Sequence, residues 1–165
     1  MRLMDLLRDD LVQAPLAART RDEACAELVD ALIAAGELPA KTRREVLDAI
    51  ATRERSQPTG LGSGVAVPHG LVDVAPDIIA AMGIAPPGEG GGIDFSAVDG
   101  QPARIIFLMI VPHNRLQAHV RTLAGVARLL NDHGFRDRLL AARSPSAIME
   151  VIVAQENLHP ARSPE

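Results

Sequence analysis

The chain has 165 residues, 47% of them apolar and only 2% aromatic, with a formal net charge of −4. That much apolar chain suits one globular domain with an aliphatic core and excludes a disordered segment. The 17 Lys and Arg are scattered and the aromatics are three Phe, so neither a basic stripe nor a base-stacking platform for nucleic acid is expected.

The opening "MRLMDLLRDD" breaks into charge too early for a signal peptide, and residues 3–7 predict one helical turn. Residues 11–16 read as a short extended piece. Thr20 and Glu23 have capping-box spacing, followed by Ala24, Leu28, Ala31 and Leu32 at helical period up to Gly36. The single cysteine, Cys25, sits inside this pattern as a small buried hydrophobe. It excludes an internal disulfide and fits a cytoplasmic protein. Thr42 and Glu45 repeat the capping box, and Val46, Leu47, Ile50 and Ala51 give a second helix ending near Arg55.

Residues 65–67 predict a short strand, 78–85 a second and 104–111 a third. The last, "RIIFLMIV", is apolar on both faces, as a central strand covered by helices on each side would be. The intervening "GEGGG" at 88–92 is a turn or loop. Leu116, His119, Val120, Leu123, Val126 and Leu130 predict a helix across 114–131. Ser144 and Pro145 mark the start of a last helix over 147–154. No apolar run reaches membrane-spanning length. Alternating helices and strands make the class α/β, with one domain over 1–154 and a frayed tail over 155–165.

The chemistry concentrates at 59–70, "TGLGSGVAVPHG". A lone histidine at a strand end is ordinarily satisfied by a backbone carbonyl. Here His69 follows Pro68, which fixes the backbone beside it, and three alternate glycines, Gly60, Gly62 and Gly64, whose N–H groups can approach an anion. A neutral imidazole can attack phosphorus without a separate base. Val65 occupies the third position of a dinucleotide fingerprint and no Lys-Ser or Lys-Thr follows, so no nucleotide cofactor is expected. His119, on the helix after the strongest strand, is a candidate partner for phosphoryl oxygens. Arg53 or Arg55, just before the glycines, could contact phosphate. His113 and His119 are six residues apart, off a common helix face, and no metal site is expected. His133, read in a turn, and His159, in the tail, receive no role.

The segment "RERSQPTGLGSGVAVPHG" resembles the active-site segment of the type 2 IIA proteins of the bacterial sugar phosphotransferase system, the fructose/mannitol and nitrogen-regulatory group. Arg53, Glu54, Thr59, Gly60, Gly62, Gly64, Ala66, Pro68 and His69 fall in its pattern. The similarity extends through "GIDFSAVDGQPARIIFLMIVP" and the helices beyond, over roughly residues 3–154. Ser63 stands where the family often has Asn, Val120 where Leu usually follows the second histidine, and the loop at 88–92 is unusually rich in glycine.

The resemblance implies a mixed β-sheet flanked by helices on both sides, and a phosphotransferase with no cofactor or metal. It implies that His69 accepts a phosphoryl group from phospho-HPr or its nitrogen-branch relative. The group would pass to a IIB domain, or be held as a signal toward regulated target proteins. His119 would support the phosphoryl group and Arg53 would lie beside it. Neither nucleic acid nor membrane insertion enters this picture; a homodimer is left open.

Overall fold

The computed structural model describes residues 2–158. Its sheet is organised around β6, Ile105–Val111, every residue of which is buried. A strand buried on both faces needs cover above and below, which explains its unbroken apolar sequence. β5, Ile79–Ile84, runs antiparallel to it from Ile79 opposite Ile110 to Ile84 opposite Ile105. β1, Val12–Gln13, adds to the far side of β5 in parallel.

The other side of β6 carries two short parallel strands in line. β3, Val65–Ala66, pairs with Ile105 and Ile106, and β4, His69–Leu71, pairs with Met109 to Val111. Pro68 separates them, because it has no N–H to donate to a ladder. Its carbonyl still accepts from the N–H of Met109 at 3.0 Å, so the chain stays on the sheet. β2, Gly60–Gly62, folds back antiparallel onto β3. The expected strand thus continues differently: His69 opens a new strand rather than closing the old one, and part of the glycine stretch is itself paired.

Among the described residues six α-helices pack around this mixed, six-stranded sheet: α1, Leu3–Leu6; α2, Arg21–Ala34; α3, Arg43–Ser56; α4, Leu116–Leu130; α5, His133–Ala141; and α6, Pro145–Leu158. α2 packs on β5, α3 on β4, and the two helices on each other. α6 packs against α1 and α5. Among the described residues no helix is long and apolar enough to cross a membrane.

The N-cap of α2 forms as expected, with the Thr20 side chain accepting from the N–H of Glu23. The second capping box does not. Thr42 is already in a short 3-10 turn, and its hydroxyl donates to the Pro39 carbonyl at 2.7 Å. α5 is an element the spacing did not reveal, and His133 opens it rather than lying in a turn. Asp132 caps it by accepting from the N–H of Phe135 at 2.9 Å, and Phe135 and Leu139, one turn apart, are buried.

α6 also outruns its expected end at residue 154. The buried carboxylate of Glu156 accepts from the N–H groups of Leu3 and Met4 at 2.9 and 2.7 Å, tying the two ends of the described chain together. The rest of the expected tail, with His159, lies outside the described residues.

Candidate functional site

β4 holds His69 and α4 holds His119, and the fold brings the two imidazoles to a centroid separation of 4.8 Å with their planes tilted by 48°. Both are largely withdrawn from water, at 6% and 8% relative exposure. The close packing of β4 on α3 depends on Gly70. A Cβ there would lie 3.1 Å from Ile50 Cγ1 and 3.3 Å from its backbone nitrogen, so any side chain would push helix and strand apart. That contact sets the end of α3, with Arg53 and Glu54, beside His69.

His69 Nδ1 lies 3.0 Å from the Val67 carbonyl. A carbonyl only accepts, so Nδ1 carries the proton and the neutral ring keeps its lone pair on Nε2. The ordinary fate of a strand-end histidine, a bond to backbone, is therefore also what fixes its tautomer. His119 differs: its Nδ1 is buried with no hydrogen-bond partner among the described residues.

The electrostatics hold both rings neutral near neutral pH. Burial is the main effect pushing the His69 pKa down; the bond to Val67 opposes it, the Arg53 charge adds to it and Glu54 opposes it. His119 is lowered by burial first, then by His69 and by Arg53. Arg53 thus acts on both histidines, while its Nη1 donates to the Gln57 carbonyl. Arg55, the other guanidinium candidate, is turned to the Thr52 hydroxyl instead.

Two acids that the sequence reading left without a role hold the glycine segment. Glu54 is 2% exposed and accepts from both the hydroxyl and the N–H of Thr59. The Thr59 carbonyl in turn accepts from the N–H of Val67 at 3.1 Å, which links α3 to the residue that holds His69. Asp99 accepts from the N–H of Ser63 at 2.8 Å and of Gln101 at 3.0 Å. Those two backbone bonds keep its carboxyl below the usual range. Gly62 has φ +86°, and a Cβ on it would meet Asp99 Oδ2 at 2.9 Å, so both backbone shape and space require glycine there.

The remaining chemistry-bearing candidates lie elsewhere. His113 is bound to Asp73, through its N–H at 2.8 Å and its ring at 3.1 Å. His133 faces Asp137 at 3.0 Å. Cys25 is buried in α2, and burial, helped by Glu54, pushes its thiol up to about 12, so it stays protonated and inert. Large apolar side chains are exposed on β2, β4 and α4. Leu71 on β4, Leu61 on β2, and Leu116 and Val120 on α4 are four of the six large apolar side chains exposed among the described residues.

A nucleophilic nitrogen, a second imidazole, a guanidinium and a glycine-rich turn are suited together to bind and take up a phosphoryl group. The sequence matches the family described as phosphoenolpyruvate-dependent sugar phosphotransferase system, EIIA 2, over residues 5–155.

It is 32% identical over 153 residues to a nitrogen regulatory protein of Bradyrhizobium diazoefficiens, covering 92% of this chain and 95% of that one. It is 28% identical over 152 residues to the fructose-specific EIIABC component of Bacillus subtilis, covering 92% of this chain but 23% of that longer protein. The fold matches that of nitrogen regulatory protein IIA-Ntr from Neisseria meningitidis with a TM-score of 0.79 at 23% identity, over 91% of this chain and 98% of that one. It matches IIA mannitol from Escherichia coli at 0.73 and 23%, over 88% and 98%. The chain belongs to the type 2 EIIA family of the phosphotransferase system.

Proposed function

We propose that this protein is a phosphocarrier that accepts a phosphoryl group on Nε2 of His69 from the phosphohistidine of an HPr-type carrier, and that it serves as a nitrogen-regulatory IIA protein. The observation that carries the reading is the pairing of a tautomer-fixed His69 with His119 at 4.8 Å. In the transfer, the Nε2 lone pair forms a bond to phosphorus as the bond from phosphorus to the donor imidazole breaks. The donor ring, protonated on its other nitrogen, leaves with that electron pair as a neutral imidazole, while the phosphorylated His69 ring keeps its Nδ1 proton on the Val67 carbonyl. The metaphosphate-like transition state carries its charge on the equatorial oxygens, so catalysis is a matter of positioning and charge stabilisation. His119 and Arg53 supply the stabilisation, and the pinned glycine turn supplies N–H groups.

The exposed apolar side chains on the two elements that carry the histidines, Leu71 on β4 and Leu116 and Val120 on α4, fit this role, since donor and acceptor are both proteins that must exclude water from the reacting pair. The regulatory branch is supported by a 32% identical nitrogen regulatory relative that matches along nearly its whole length. A cytoplasmic location follows from this reading. A sugar-uptake role, with onward transfer to a IIB domain, is favoured by one observation. The fold also matches the mannitol IIA enzyme of Escherichia coli in its complex with phosphorylated IIB, at a TM-score of 0.73.

The test is incubation with phosphoenolpyruvate, enzyme I and HPr, followed by intact mass. One acid-labile phosphoryl group is expected on the wild type and none on His69→Ala. Label on His69→Ala would overturn the assignment.

A further inference from the structure

The segment between β5 and β6 crosses over the glycine turn. Its base is tied by the bridge between Ile93 and Ala103, and Phe95, 1% exposed, anchors it in the core. Beyond that anchor the chain turns sharply. Ser96, at φ +54°, donates its N–H to Asp94 Oδ1 at 2.8 Å, and Gly100, at φ +71°, donates to the Ala97 carbonyl at 3.0 Å. Val98 is fully exposed, and the residues on either side of it, Ala97 and Asp99, reach the β2–β3 hairpin.

Ala97 meets the hairpin at Gly60, where a Cβ would lie 3.0 Å from both Cα and Cβ of Ala97. Asp99 meets it at the turn, taking the N–H of Ser63 from 36 positions away in the chain. Three consecutive residues of that turn are in the left-handed region: Gly62 at φ +86°, Ser63 at +55° and Gly64 at +78°. Ser63 is the costly one, because a residue with a Cβ stays in that region only where its surroundings hold it. The bond to Asp99 Oδ2 is such a hold, and the bond from Gln101 to Oδ1 fixes the direction of the carboxylate.

The hairpin held at this end carries the His69 contact at its other end. Gly60 pairs with Ala66, and the neighbouring Thr59 carbonyl accepts from the N–H of Val67. The Val67 carbonyl in turn fixes the His69 tautomer.

We infer that Asp99 is a positioning residue for phosphoryl transfer at His69: the 94–101 loop braces the glycine turn through this carboxylate, and the hairpin passes the constraint to the Val67 carbonyl. The inference rests on the phosphocarrier reading and adds to it a residue that works without touching the transferred group. A small misplacement of a reacting group, even from a remote cause, is enough to cost rate.

The test compares wild type, Asp99→Ala, Asp99→Asn and, as a control in the same loop, Asp94→Ala, which removes the Ser96 bond without touching the hairpin. Transfer from the cognate phosphorylated HPr-type carrier is followed by quenched flow. The protonated nitrogen of the His69 ring is followed by long-range proton–nitrogen NMR of the unphosphorylated protein. Asp99→Ala should lower kcat at least about tenfold with KM little changed, and a second His69 tautomer should appear. Asp99→Asn keeps an oxygen for the Ser63 N–H but sets its amide group against a second N–H, and should lose about threefold. Asp94→Ala should match the wild type in both readouts.

Wild-type kcat and a single tautomer in Asp99→Ala would overturn the inference even if the thermal midpoint falls, because the carboxylate then supports only the fold. If Asp99→Ala does not fold, wild-type kcat in Asp99→Asn overturns it instead. A raised KM with unchanged kcat would make the loop a partner contact, and an Asp94→Ala as slow as Asp99→Ala would place the effect in the loop rather than in the Ser63 bond. Either result overturns the inference and leaves the phosphocarrier reading intact. A wild type that takes no phosphoryl group from any carrier would remove that reading and the inference together.

Discussion

The two histidines sit 4.8 Å apart but in structurally different settings. His69 belongs to a strand fixed from several directions. Pro68 and Met109 hold the backbone, Val67 holds the ring, and the Glu54–Thr59 pair holds the turn that leads into it. His119 belongs to a helix that needs no such frame, and its buried Nδ1 is unpartnered. A nucleophile must offer one lone pair in one direction, and the fixed tautomer and position suit His69 to the role proposed for it. A group that steadies a passing anion must be free to gain a proton when the anion arrives. An unpartnered nitrogen beside a neutral imidazole leaves that open.

Replacing each histidine in turn makes the sharpest break in this comparison. Whereas His69→Ala is expected to end phosphorylation outright, His119→Gln should leave the phosphorylated end-point intact. It should slow transfer by about 10²-fold, the usual loss for one preorganised transition-state donor. Stopped-flow or quenched-flow transfer from phospho-HPr separates rate from extent. An unchanged rate in both directions of transfer would remove His119 from the site. Complete loss of phosphorylation would mean that the two rings act as one unit rather than in the separate roles drawn here.

The frame on the His69 side should register as stability. Glu54→Ala removes the acceptor for the N–H and hydroxyl of Thr59 and leaves a buried donor unsatisfied. That costs about 1–3 kcal/mol. Denaturant unfolding should show the loss, and phosphoryl uptake at His69 should slow because the turn ahead of Val67 loosens. Loss of stability with no change in uptake would mean that Glu54 supports the fold but not the site.

How far this was legible in sequence depends on what kind of signal each residue leaves. β6 could be read because a strand covered on both faces has no polar positions to dilute its pattern. The segment from Arg53 to His69 could be read because it combines backbone-determining residues with one reactive side chain. The geometry then brings Arg53, and not Arg55, to act on the histidines, a choice that two neighbouring arginines in sequence leave open.

α5 was hidden because Asn131, Asp132 and Gly134 are turn-forming types, and only the cap by Asp132 with Phe135 and Leu139 one turn apart gives it away. Glu54 did leave a signal. It continues the buried stripe of Val46 and Ile50 at four-residue spacing, and a carboxylate on such a stripe needs a donor. The Asp99 bond to the glycine turn left none, because which backbone N–H a loop carboxylate reaches depends on tertiary neighbours.

Acid titration gives the smallest effect and tests the premise that both rings are buried neutral. Their folded pKa values lie below the ordinary value of about 6.5 that the unfolded chain shows. As pH falls past that value the unfolded state takes up protons that the folded state resists. Stability is therefore fully present above pH about 6.5 and declines as pH drops toward the lowered folded values.

The carboxylates held low by backbone N–H groups, Asp73, Asp99 and Asp132, act with the same sign but only at more acid pH, below the ordinary carboxylate value near 4. Thermal midpoints between pH about 7.5 and 5 should thus decline in the wild type and less steeply in His69→Gln/His119→Gln. The single variants divide the slope. Each single variant should remove the part of the slope that its own ring contributes. Equal slopes in wild type and double variant would show that the rings titrate as though exposed, and the contrast between a framed and an unframed histidine would lose its electrostatic basis.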